Sequence, residues 1–68
     1  MNGIIFLIQD SPEGGYEARA LGESIFTCGD DMQHLQTNIR EAVQCHYEEG
    51  EAPKIIRLHF AREELIAV

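Results

Sequence analysis

Sixty-eight residues, with twelve acidic and five basic side chains, make a chain of net charge −7, which leaves room for one domain over residues 1–68 and a thin stability margin. The acidic balance argues against direct DNA binding, which usually draws on a basic stripe along the phosphate backbone. Two cysteines, Cys28 and Cys45, are too few for a disulfide scaffold, no charged-then-apolar leader is present, and the apolar run Ile4-Ile5-Phe6-Leu7-Ile8 is far short of the roughly 20 residues of a membrane span, so a reduced, cytoplasmic setting is expected.

The first segment, Gly3-Ile4-Ile5-Phe6-Leu7-Ile8-Gln9, is β-branched and aromatic on consecutive positions. That pattern predicts a central strand covered on both faces. Asp10-Ser11-Pro12-Glu13-Gly14-Gly15 is dense in turn formers and reverses the chain. Tyr16-Glu17-Ala18-Arg19-Ala20 then alternates, with Tyr16, Ala18 and Ala20 on one face, where the small alanines leave room for a helix. After a turn at Leu21-Gly22-Glu23, a third short strand over residues 24–28 ends at Gly29.

Asp30 is the predicted cap of an amphipathic helix of about five turns, with Gln33 completing a capping box and Asp31 complementing the helix dipole. Met32, Leu35, Ile39, Ala42, Val43 and Tyr47 form its apolar stripe, and His34, Thr37, Asn38, Arg40, Glu41 and Glu48 lie opposite. Gly50 and Pro53 stop it. Residues 54–61 alternate again as a fourth strand, with Ile56, Leu58 and Phe60 towards the helix and Ile55, Arg57 and His59 away from it. The predicted order is βββαβ, of the α+β class, with no internal repeat.

One helix can cover one face of such a sheet, yet Ile5, Leu7 and Ile55, with Ile25 or Phe26, load the other face. The last residues, Arg62-Glu63-Glu64-Leu65-Ile66-Ala67-Val68, end in four apolar side chains. A soluble monomer rarely leaves a patch of this kind open, so a homo-oligomer is expected, most simply a dimer, with Ile5, Leu7, Ile55, Leu65, Ile66 and Val68 at its interface. The alternative is that the tail folds back over its own sheet.

The chemistry-bearing residues favour no catalytic, metal or cofactor site. Cys45 and His46 are adjacent on the helix and point apart, no closely spaced cysteine pair exists, and the cysteines are expected to be partly buried. Asp10 belongs to a turn and Asp30 to a cap, and Gly14-Gly15 lacks the remainder of a phosphate loop. Glu41 and Glu48, with Asp31, Glu49 and Glu51, make the helix and its exit acidic, as a solvated face or a docking surface for a basic partner.

Gly14-Gly15-Tyr16-Glu17-Ala18, Leu21-Gly22, Thr27-Cys28-Gly29-Asp30 and Asn38-Ile39-Arg40-Glu41-Ala42-Val43 together resemble the HicB-like antitoxins over roughly residues 4–60. The motif positions are Gly14, Gly15, Tyr16, Gly22, Gly29 and Asp30. The resemblance implies a partial RNase H-like fold, a four-stranded mixed sheet in the order 3-2-1-4 with the first and fourth strands parallel in the middle. It also implies a non-enzymatic protein that binds and masks a small basic mRNA-cleaving toxin. Many members carry a second, DNA-binding domain, for which these 68 residues have no room, and the RNase H acidic cluster is not reproduced. A rival reading is a stand-alone homo-oligomeric module that binds a small molecule or peptide in an apolar groove.

Overall fold

The computed structural model describes residues 3–61 and 65–68. Its elements are β1 (Gly3–Asp10), β2 (Tyr16–Ala20), β3 (Phe26–Gly29), α1 (Met32–His46) and β4 (Ile55–Phe60), in an α+β arrangement whose single sheet has the order β3-β2-β1-β4. β1 pairs antiparallel with β2 and parallel with β4, so the chain crosses from β3 through α1 to reach the far edge. The four-stranded mixed sheet and its order agree with expectation.

Alternation along β1 sends Ile4, Phe6 and Ile8 into the core under the helix, and Ala18 and Ala20 of β2 lie beside them. Leu35, Ile39 and Val43 of α1 close the core from above, and Ile25 adds to it from the loop before β3. Ile25 is therefore core and Phe26 faces away, which settles the choice between them. The predicted third strand starts two residues later than expected, because Ile25 leaves the ladder to fill this space while its carbonyl accepts from the Ala20 amide at 3.0 Å.

The helix differs from its sequence reading at both ends. Asp31, not Asp30, is the cap: its backbone is extended and its carboxylate accepts from the His34 amide at 2.7 Å. His34 replaces Gln33 as the reciprocal partner, its Nδ1 accepting the Asp30 amide at 3.2 Å. The same nitrogen lies 3.9 Å from the Asp30 carboxylate. Asp31→Ala should cost about 1 kcal/mol and lower the melting temperature by about 4–8 °C in a thermal scan, with Asp30→Ala closer to neutral.

At the other end α1 stops at His46, about one turn early, because Tyr47 adopts an extended backbone. Gly50 instead serves the turn that follows, in which the Glu51 amide donates to the Glu48 carbonyl at 2.9 Å. Asn38 also departs from expectation. It is half-buried, and its side-chain amide donates to the Cys28 carbonyl at 2.7 Å, tying the helix to β3.

Gly29 and Gly15 explain why the helix lies where it does. A Cβ on Gly29 would stand 2.5 Å from the Leu35 nitrogen, and one on Gly15, whose φ is +77°, would stand 2.5 Å from the Gly29 carbonyl oxygen. With Ala18 beneath, these positions let α1 settle closely on β2 and β3 and stay farther from β4. The β4 side of the sheet is left short of cover.

Candidate interaction surface

On the face of the sheet away from α1, strand register lines up two rows of side chains. Leu7 is paired with Arg19 on one side and His59 on the other, and Arg19 is paired in turn with Phe26. In the next row Ile5 pairs with Arg57, and Ile55 lies beyond it opposite Gly3. Ile5 and Leu7 are half-buried by their neighbours alone, while Phe26 is 64% exposed and Ile55 57%. A cleft of about 130 Å³ runs between Leu7, Arg19 and Phe26. The face is an apolar centre flanked by the cations Arg19 and Arg57, with Glu17 beside Gln9 at one end.

The first strand is therefore central, as predicted, but only one of its faces is covered by the described residues. The accessible area of the whole chain, open face and exposed residues 65–68 together, is large for its mass. The chain exposes 5505 Å², whereas a compact monomer of 7.7 kDa should expose about 4,300 Å². The excess, about 1,200 Å², exceeds the roughly 800 Å² that each partner contributes to a standard interface.

The residues expected at an interface are not all in one place. Ile5, Leu7 and Ile55 share the open face. Leu65, Ile66 and Val68 are exposed and lie apart from the sheet, so the tail does not fold back over it; Arg62, Glu63 and Glu64, the start of that tail, lie outside the described residues. Glu41 and Glu48 are exposed with Asp31, Glu49 and Glu51 along the solvent side and exit of α1, a separate acidic region. Arg57 and His59 lie on the side away from the helix, as expected, and the register gathers them with Arg19 around Ile5 and Leu7.

The motif residues build loops and the core. Gly14 and Gly15 close the first hairpin, with the Gly14 amide donating to Ser11 at 3.1 Å. Tyr16 packs on the edge of the core, Gly22 has φ +87° in the second turn, and Asp30 precedes the cap. None of them reaches the open face.

On the helix side, the gap between α1 and β4 is a groove of about 430 Å³, floored by Ile39, Ile56 and Leu58 and rimmed by Arg40 and Lys54. Phe60, 60% exposed, faces the same way as Ile8 and continues its apolar strip. Phe60 was expected to meet the helix, but α1 leans away from it.

Both cysteines are free and exposed, contrary to the expected partial burial, Cys28 on the edge strand and Cys45 near the end of α1. No group of three or more His, Cys, Asp or Glu side chains that could hold a metal ion occurs among the described residues. Among them, too, no helix is long and apolar enough to cross a membrane. Glu23, in the turn after β2, lies 3.4 Å from the His46 Nε2. Burial and then the Glu23 carboxylate, by its charge and as a hydrogen-bond acceptor, raise the Tyr47 hydroxyl above its ordinary 10.0. The neutral phenol is the form the fold favours, so its contribution is complete below pH 10.0 and is lost as pH rises through the raised value. Glu23→Gln should bring the Tyr47 titration, followed by its ring resonances, back towards the ordinary value.

Comparison with known proteins gives two close relatives. A UPF0150 protein of Archaeoglobus fulgidus is 47% identical over 55 residues, which span 81% of this chain and 82% of the relative. A UPF0150 protein of Thermotoga maritima is 42% identical over 65 residues, 96% of this chain and 91% of the relative. No family model matches the chain, and no solved structure matches it.

Proposed function

The chain belongs to the UPF0150 family, and we propose that it is a non-catalytic, HicB-like antitoxin-type protein that associates with itself and masks a small basic mRNA-cleaving toxin. The observation that carries the reading is the separation of its surfaces. The open sheet face is an apolar band with Arg19 and Arg57 beside it, suited to a second copy, whereas Asp31, Glu41, Glu48, Glu49 and Glu51 stand exposed on the helix and its exit, free for a cationic partner. The parallel pairing of β1 with β4 supports the HicB-like part, because the resemblance implied that order.

The test is co-expression with the product of the neighbouring reading frame. A small basic protein that cleaves mRNA, co-purifies with this chain and has its growth arrest relieved by it supports the reading. An arrest that persists at full expression of this chain contradicts it. Reversing Glu41, Glu48, Glu49 and Glu51 together to lysine should weaken the complex by about tenfold or more and flatten its salt dependence, since each exposed charge pair contributes up to about 1 kcal/mol.

The groove between α1 and β4 favours a second reading, a stand-alone module for a small molecule or peptide. A thermal shift with a metabolite, and none with a basic protein, would select it.

A further inference from the structure

We propose that the groove between α1 and β4 receives residues 65–68 of a second copy of this chain, so that two copies exchange their apolar tails. The inference rests on the self-association proposed above and adds a contact that the open sheet face does not make.

Three observations lead to this occupant. The groove is lined by Ile56 and Leu58, which are only half-buried, above the core residue Ile39, and its volume of about 430 Å³ lies in the range of sites that hold a drug-sized ligand, about 300–1,000 Å³. The chain also carries the apolar segment such a floor needs. Leu65 is 87% exposed and Ile66 84%, with Ala67 and Val68 exposed beside them. The molecule measures 51 × 24 × 17 Å with a radius of gyration of 13.3 Å, against about 11 Å for a compact chain of this length.

The charges match as well. Arg40 and Lys54, two of the five basic residues, stand on the rim, and Glu63-Glu64 immediately precede the apolar tail in the sequence. The cap Asp31, Glu41 and the exit residues Glu48, Glu49 and Glu51 would repel that pair elsewhere along the helix.

Direction favours the second copy over the chain's own tail. β4 runs from Ile55, next to the Lys54 rim, to Phe60, and the Ala61 amide then donates to the Ile8 carbonyl at 2.8 Å. The chain thus leaves the sheet at the end remote from Lys54, and its own tail would have to reverse to enter the groove. A second copy related by a two-fold axis can enter directly, and the exchange is then reciprocal.

A charge swap tests this on the full-length chain. One variant carries Arg40→Glu and Lys54→Glu, the other Glu63→Lys and Glu64→Lys, and folding of each is checked by circular dichroism. By sedimentation equilibrium each variant alone should self-associate at least about tenfold more weakly than the unmodified chain, and an equimolar mixture should regain its affinity, because both tail–groove pairs in the mixed dimer are complementary. Variants that associate as tightly as the unmodified chain, or a mixture that regains nothing, overturn the tail exchange. If Leu7→Lys alone dissociates the assembly while the charge variants stay intact, the open-face contact stands and the exchange falls. If the unmodified chain never associates, both fall.

Discussion

Gly29→Ala is expected to cost about 2–3 kcal/mol and lower the melting temperature by at least about 10 °C. The added methyl would stand 2.5 Å from the Leu35 nitrogen, 2.6 Å from its Cα and 3.0 Å from the His34 carbonyl carbon. All three atoms are backbone in the first turn of α1, so no side chain can swing aside; the helix itself must lift. Lifting it withdraws Leu35, which is fully buried, and strains the Asn38 bond to the Cys28 carbonyl. A domain of this size has a total stability of roughly 3–10 kcal/mol, so the loss is a large share of it. Gly14→Ala provides the comparison: nothing lies within 4 Å of its Cβ position, and only the φ of +100° resists the change. It should cost about 1 kcal/mol. Equal melting temperatures for the two variants would show that the close approach of α1 to β3 is not what places the helix.

Leu7→Lys should weaken self-association by about a hundredfold or more while leaving the monomer folded. Leu7 lies at the centre of the open face, between Arg19 and His59 in register, and it is only half-buried in the single chain. A lysine there can reach solvent in the monomer, so the fold loses little. In an assembly that closes this face, the ammonium would be stripped of water beside Arg19 and Arg57, with no partner nearer than Glu17 in the next row. Unpaired charges at the centre of an interface cost several kcal/mol. Glu41→Lys, on the solvent side of α1, is the control and should leave the assembly intact. Loss of association with both variants would point to net charge rather than to the sheet face.

Much of the fold was legible because its signals are local. The doubly apolar β1, the turn-rich Asp10-Ser11-Pro12-Glu13-Gly14-Gly15 and the three- and four-residue spacing of Leu35, Ile39 and Val43 all act over a few residues. The misreadings have physical causes. Asp30 and Asp31 are equally good caps in sequence, and only the extended backbone of Asp31 and the reach to the His34 amide decide between them. Asn38 reads as a solvent-facing helix residue until β3 is seen to run beneath it with a carbonyl to satisfy. The β4 groove was hidden for a related reason. Periodicity tells which face of a helix is apolar, but not that Gly29 and Ala18 draw the helix towards β2 and β3 and away from β4. The apolar excess of Ile5, Leu7, Ile55, Leu65, Ile66 and Val68 was legible in the composition of those segments, yet its division between the open face and the tail, apart from the acidic Glu41 and Glu48, needed the strand register.

One copy of the chain leaves apolar surface uncovered that a second copy would close, and the mass of the unmodified protein in solution tests this most directly. Sedimentation equilibrium from micromolar to hundreds of micromolar should return a whole multiple of 7.7 kDa, with the dimer as the smallest species at the upper end. A single species of 7.7 kDa across that entire range, soluble and folded, would contradict it.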